Sequence, residues 1–247
     1  MTTAMVYNWP EDQWETFLPF AERWSNSYLQ FCQGFPHKLY VCVCGTGSLP
    51  ECLKRLNPRV IRYLGSGFDI GMSQHAAKHI SEDLMITGTS RHYFYRANPI
   101  ARMAEVFEKY PDSLLCTMTS YEACPIGPFS FPNAHIRTAY WGISPARFRR
   151  YPYDISNRER GFLFESGEWA VNRWFDACGL RTIQVTWDSA HDDKRAWARI
   201  PNRFRNGDQS SSLVYDKHSE AYSKMNPAQK REVEKRTWGL RIQIRPI

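Results

Sequence analysis

The seven cysteines include no C-x-x-C pair, so the chain offers neither the spacing of a structural zinc site nor that of a redox motif. They read as reduced thiols in a cytosolic protein. Cys42 and Cys44 alternate onto one face of a strand in KLYVCVCG, where they fill space as small apolar groups. No apolar run approaches the roughly 20 residues of a membrane span. The N-terminus MTTAMVYNWPEDQW also lacks a signal-peptide pattern, so any membrane contact is expected to be peripheral. A P-loop, a G-x-S-x-G elbow and an H-E-x-x-H helix are missing as well. After Gly45-Thr46-Gly47 there is no third glycine to complete a dinucleotide fingerprint. Internal repeats and low-complexity linkers are also lacking, which leaves out solenoids and arrays.

What the chain does carry is length, charge and aromatic bulk. Its 247 residues can bury a substantial core and read as one domain over 1–247. Lysine and arginine number 32 against 25 acids, and this surplus favours polyanions: nucleic acid, a phosphorylated donor or an anionic membrane. Local concentrations occur at Arg147-Arg149-Arg150, Arg199-Arg203-Arg205 and Lys230-Arg231-Lys235-Arg236. Such dispersed charge is also what an ordinary solvated surface looks like.

The hydrophobic pattern predicts an α/β fold with a mostly parallel central sheet flanked by helices. From Pro10 to Phe31, Trp14, Phe17, Leu18, Ala21, Trp24 and Tyr28 recur at helical spacing, with Pro19 expected to kink or restart the helix. HKLYVCVCG, PRVIRYLGSG and EDLMITGTS then read as strands ending in glycine, with a helix over Ile70 to Ile80 before the third. PIARMAEVFEKY is a helix and SLLCTMTSY a fourth strand. HIRTAYWGIS follows as a strand, with a tight turn at Gly142. Further on come a short basic helix from Pro145, a helix from about Gly167 to Cys178, the strand LRTIQVTW, and a last helix with Asn226 as N-cap and Pro227 at its first position. Parallel sheets of this kind bind ligands beyond the carboxyl ends of their strands, which here are Gly45-Thr46-Gly47, Gly65-Ser66-Gly67 with Phe68-Asp69, and Gly88-Thr89-Ser90-Arg91.

Several side chains could do chemistry there. His75 and His79 lie four apart, as metal ligands on a helix do, but no third ligand is near and two exposed helix histidines are the better reading. Glu165 in FLFESGEW precedes a glycine and a helix start, with Glu168 three residues on. It reads either as an acid that complements the helix dipole or as a base at a pocket rim. Asp188 and His191, just past a strand end, could hold a metal or form an ordinary turn. In HIRT, the alternation brings His135, Arg137 and Thr138 to a strand that should be burying apolar groups.

Taken together, FPNAHIRTAYW at Phe131 to Trp141, FESG at Phe164 to Gly167, FRNGDQSSSLVYD at Phe204 to Asp216 and TWG at Thr237 to Gly239 resemble motifs of bacterial and phage glycosyltransferases of the GT-A type. The resemblance runs from about residue 20 to 239 and is most specific in the second half. It implies a GT-A (nucleotide-diphospho-sugar transferase) fold, with a nucleotide-sugar-binding half over about 20–125 and an acceptor-binding half over 126–239. It further implies transfer of a sugar from a nucleotide-sugar, a UDP-sugar by expectation, to a hydroxyl. The donor would lie over Cys44, Gly45, Thr46 and Asp69. Thr89, Ser90 and Arg91 stand where such enzymes carry an Asp-x-Asp for a divalent metal, Mn or Mg. Either Asp188 and His191 hold the metal instead, or cations such as Arg91 and Arg137 neutralise the diphosphate. His135, Arg137, Thr138, Trp141 and Trp169 would bind the acceptor and Glu165 would be the base of an inverting reaction. The acceptor could be a glycan or, given the basic surface, a hydroxymethylated base in double-stranded DNA modified by a phage enzyme in the host cytoplasm. The alternative is a non-catalytic protein that binds nucleotide-sugar or nucleic acid with a degenerate site.

Overall fold

The structure, a computed structural model, describes residues 1–239; of the domain expected over 1–247, the last eight residues lie outside the described part. Eight strands form one sheet: β1 (Thr3–Pro10), β2 (Lys38–Cys44), β3 (Arg59–Tyr63), β4 (Leu84–Gly88), β5 (Leu114–Ser120), β6 (His135–Ile143), β7 (Thr182–Val185) and β8 (Ala190–His191). Their order is β3-β2-β1-β4-β6-β5-β7-β8. The first four are mutually parallel, β5 and β7 are parallel, and β6 runs antiparallel between β4 and β5, as β8 does beside β7. The sheet is thus mostly parallel, as the sequence pattern implied.

Nine α-helices complete the described residues: α1 (Trp14–Phe31), α2 (Glu51–Lys54), α3 (Phe68–Ala76), α4 (Pro99–Lys109), α5 (Pro145–Phe148), α6 (Arg158–Glu165), α7 (Val171–Ala177), α8 (Lys217–Ser223) and α9 (Pro227–Trp238). They cover both faces of the sheet. On one face, Phe17, Trp24 and Tyr28 of α1 and Ile100, Met103 and Phe107 of α4 pack on Met5, Tyr7 and Trp9 of β1 and on Leu84, Ile86 and Leu115. On the other, Met72 and Ala76 of α3, Phe148, Phe164, and Val171 and Phe175 of α7 cover Ala4, Val6, Cys42, Met85 and Trp141. Each face therefore removes a dense layer of apolar area from water, and at about 25 cal/mol per Å² this is the main driving force for the three-layer arrangement. No helix of the described residues is long and apolar enough to cross a membrane.

Four elements differ from the sequence expectation. The segment before Pro10 is a fully buried central strand, β1, paired on both sides, whereas the sequence reading began the sheet at β2. Helix α1 runs uninterrupted through Pro19, because the packing of its aromatic stripe outweighs one lost backbone bond. Gly142 is no turn: it lies inside β6 opposite Ile86 and Leu115, where a Cβ would press to 3.2 Å from Leu84 and Met103. Finally, Glu165 does not precede a helix start; it is the last residue of α6, and the following helix begins only at Val171.

Candidate active site

The carboxyl ends of β2, β3 and β4 open on a cleft of about 530 Å³. One wall comes from these strand ends and the start of α3: Cys44, Gly65 to Phe68, Asp69, and Thr89 to Arg91. The other comes from Thr138 of β6, from Asn157, which caps α6, and Arg158, Phe162 and Glu165 on it, and from Lys217, the first residue of α8. Seven of the side chains singled out from the sequence, Cys44, Asp69, Thr89, Ser90, Arg91, Thr138 and Glu165, share this space.

Asp69 anchors the first wall. Its Oδ1 accepts the backbone N–H of Ser90 at 3.1 Å and also the Ser90 hydroxyl. Burial pushes its carboxyl above the usual range, against the pull of those two bonds and of Arg91 and Lys217. Beneath it, Asn8 of β1 directs its amide nitrogen at four acceptors: the Asp69 carbonyl (3.0 Å), Ser73 Oγ (2.9 Å), Thr87 Oγ1 (3.3 Å) and the Gly88 carbonyl (3.0 Å). The loop after β4 is held from behind as well, since the Tyr7 hydroxyl donates to the Ser90 carbonyl at 3.0 Å. His92 accepts from Trp24 Nε1 at 3.0 Å and faces the Thr89 carbonyl through Nδ1 at 2.6 Å, the pattern of a neutral ring protonated on Nδ1. Asn8 thus ties β4 to α3, and Tyr7 and Asp69 hold the loop after β4 beside them.

On the second wall, Glu165 is held by three donors. Oε1 accepts from the backbone N–H of Thr138 at 2.9 Å and from its hydroxyl at 3.1 Å, and Oε2 accepts from Arg137 Nη1 at 3.2 Å. A carboxylate at a helix C-terminus faces the negative end of the dipole, so these donors supply what the helix does not. Arg137 stands behind Glu165 and not in the cleft, with Glu122 and Asp216 as further acidic neighbours; burial lowers its pKa, but the three acids outweigh that and hold it above the ordinary arginine value.

The cations facing the cleft are Arg91, Arg158 and Lys217, and the last two were not singled out from the sequence. Among the described residues none of the three has an ion pair. Arg91 lies over the Phe17 ring at 4.4 Å and Arg158 over the Phe162 ring at 5.6 Å. Lys217 is pushed below the usual lysine value, first by burial and then by Arg91, with Arg158 and Arg137 adding to it against Asp216. The signal for Lys217 was legible: Asp216 caps α8 by accepting the N–H groups of His218 and Ser219, a D-x-x helix start inside the SLVYDKHSE stretch. Arg158 likewise follows Asn157, whose side chain accepts the Arg160 N–H and starts α6.

The remaining sequence candidates fall elsewhere. Gly45 and Thr46 lie beside the cleft in a loop clamped from below, where the Gly47 N–H donates to Glu11 at 2.7 Å and Gly45 takes a φ of 131° that favours glycine. His135 is buried, with Nδ1 on the Asn133 carbonyl at 2.7 Å, and burial depresses its pKa. Trp141 is 1% exposed in the core against Phe148 and Phe164, so it cannot stack on a ligand. Trp169 lies flat on Tyr153 at 4.6 Å, outside the cleft lining. Asp188 and His191 sit at the β7–β8 hairpin, where His191 pairs with Ser189 Oγ at 2.6 Å. His75 and His79 touch each other, ring to ring at 4.9 Å.

The side chains lining the cleft do not fit a divalent ion. Thr89, Ser90 and Arg91 offer hydroxyls and a guanidinium at the end of β4, Oδ1 of Asp69 is taken by Ser90, and no group of three or more His, Cys, Asp or Glu among the described residues could hold a metal.

No family model matches the chain, and no curated protein matches it. Among solved structures it is similar to a candidate nucleotide-diphospho-sugar transferase from Desulfovibrio desulfuricans G20, at 13% identity and a TM-score of 0.42 over 75% of this chain and 80% of that one. It is also similar to HddC from Yersinia pseudotuberculosis, at 13% identity and a TM-score of 0.40 over 64% of this chain and 84% of that one.

Proposed function

We propose that the chain is a glycosyltransferase of GT-A type that moves a sugar from a nucleotide-sugar, a UDP-sugar in the first instance, to a hydroxyl acceptor with inversion. The observation that carries this reading is the pairing of two walls in one cleft. Glu165 is fixed by Thr138 and Arg137 on one side, and Asp69, Ser90 and Arg91 stand at the strand ends on the other. The acceptor oxygen bonds the anomeric carbon as the bond to the β-phosphate oxygen breaks. The electron pair leaves on that oxygen, and the acceptor proton passes to Glu165. Retention of configuration in the product would remove the direct base role.

The test is nucleoside diphosphate release from a panel of nucleotide-sugars offered with hydroxymethylated DNA, unmodified DNA and simple glycans. Release tied to one donor and one acceptor is the expected result. The net charge of +7 favours the modified DNA base as acceptor, in which case activity should fall steeply as salt rises. A glycan acceptor would leave the rate nearly independent of salt. Donor binding without release for any acceptor would instead support a non-catalytic binding protein.

A further inference from the structure

We propose that Arg91, Arg158 and Lys217 form a diphosphate site that takes the place of a divalent metal, so that this chain binds its donor and releases its leaving group without one. The proposal rests on the nucleotide-sugar reading of the cleft and takes the cationic alternative the sequence left open, with Arg158 and Lys217 in place of Arg137.

Three features converge on it. The first is the donor set: hydroxyls and a guanidinium stand where metal-binding carboxylates would be needed, and the nearest acid, Asp69, already accepts two bonds from Ser90. The second is the state of the cations. Arg91 and Arg158 lie on the faces of Phe17 and Phe162, and an aromatic face holds a guanidinium in place without cancelling its charge or using its in-plane N–H groups. Elsewhere in the chain, arginines near acids are paired: Arg205 and Arg236 share Glu122, and Arg137 takes Glu165. The third is the like-charge cluster itself. Lys217 is partly buried and feels both Arg91 and Arg158, an arrangement that an anion relieves.

A nucleoside diphosphate supplies that anion and gains a further negative charge as the sugar departs. The cluster therefore favours the leaving group more than the bound donor, which is the requirement for lowering the barrier. Cations pre-positioned by aromatic rings need little reorganisation to do this.

Calorimetry with inorganic pyrophosphate and with UDP, each in EDTA and again with Mn, tests the site independently of turnover. Both probes should bind in EDTA with an affinity that Mn does not raise. Arg158→Ala and Lys217→Ala should each weaken binding by about 10- to 100-fold, the usual loss for one charge-assisted contact. Arg91→Lys, which keeps the charge while losing the stacked fork, should weaken it less than Arg91→Ala, and thermal melting of each variant confirms folding. Binding that requires Mn, or that survives loss of Arg158 and Lys217, overturns the metal-free site and leaves the transferase reading standing. Pyrophosphate binding in EDTA with no nucleotide-sugar cleaved keeps the anion site and overturns the transferase reading. Failure of both probes with and without Mn overturns the site outright.

Discussion

Thr138 donates twice to Glu165, through its backbone N–H at 2.9 Å and its hydroxyl at 3.1 Å to the same oxygen. The amide is free to do so because β6 bulges there. Between the pairs Cys116–Trp141 and Met118–Arg137, the single residue Thr117 faces the three residues Thr138 to Tyr140. A local break in strand pairing thus becomes an anchor for a carboxylate in the cleft.

Glu165→Gln keeps the acceptor for Thr138 but removes the base. Turnover should fall by about 10²- to 10⁴-fold while UDP affinity by calorimetry stays unchanged. Equal turnover would end the assignment of the base to this residue.

Asn8→Asp is nearly isosteric, yet it sets a buried oxygen against the acceptors that the Asn8 amide now satisfies. A loss of about 3–5 kcal/mol is expected, the usual cost of an uncompensated buried charge. Urea unfolding measures it; a midpoint equal to that of the unmodified protein would mean that Asn8 is not the tie between β1, β4 and α3.

Gly67 has an ordinary φ of −79°, so its constraint is space alone. A Cβ there would lie 1.9 Å from the Ile155 carbonyl, pushing away the segment that leads into Asn157 and Arg158. Gly67→Ala should cost about 1–3 kcal/mol by overpacking and weaken pyrophosphate binding together with it. Destabilisation with no change in binding would show that the two loops move independently.

His92 is buried and neutral, and burial lowers its pKa to about 4, from an ordinary value of about 6.5. Between those two values the unfolded chain holds a proton that the native chain refuses. Stability contributed by the neutral ring is therefore complete above about pH 6.5 and is lost as pH falls toward 4, by about 3 kcal/mol at the acid end. His218, lowered to about 4 chiefly by burial, acts in the same direction. The urea midpoint should drop between pH 6.5 and 5, and His92→Gln should flatten that slope. A midpoint constant across this range would contradict the neutral ring between Trp24 and Thr89.

The strands β2 to β7 and the ligand edge were legible because each is a short apolar run closed by glycine or a small polar residue, a local signal. β1 was not, since AMVYNWP carries no turn behind it and runs straight into the acidic turn Glu11–Gln13 that leads into α1. Trp141 shows a different limit. Strict alternation puts it on the same face as His135 and Arg137. In the structure Ala139 and Tyr140 both join the core under α1 and α4, while Ile136 and Trp141 join the opposite one. The bulge shifts the phase within a single strand, and no composition signal marks it. Arg158 and Lys217 reach the cleft through contacts between segments 59 residues apart, so their caps were readable and their meeting was not.

The order of the strands also has a consequence for how the chain is made. During vectorial synthesis β1 to β4 can pair with one another as soon as they emerge, leaving only the β6-facing edge of β4 without its partner. β5 comes next but touches only β6 and β7, both still unmade, so a nascent chain ending before residue 135 exposes the outer edge of β4 and both edges of β5. Arrival of β6 closes two of those edges in one step and β7 closes the third, and a ribosome pausing over the loop between β5 and β6 would hold the chain at the point where it is most open to pairing with a neighbour.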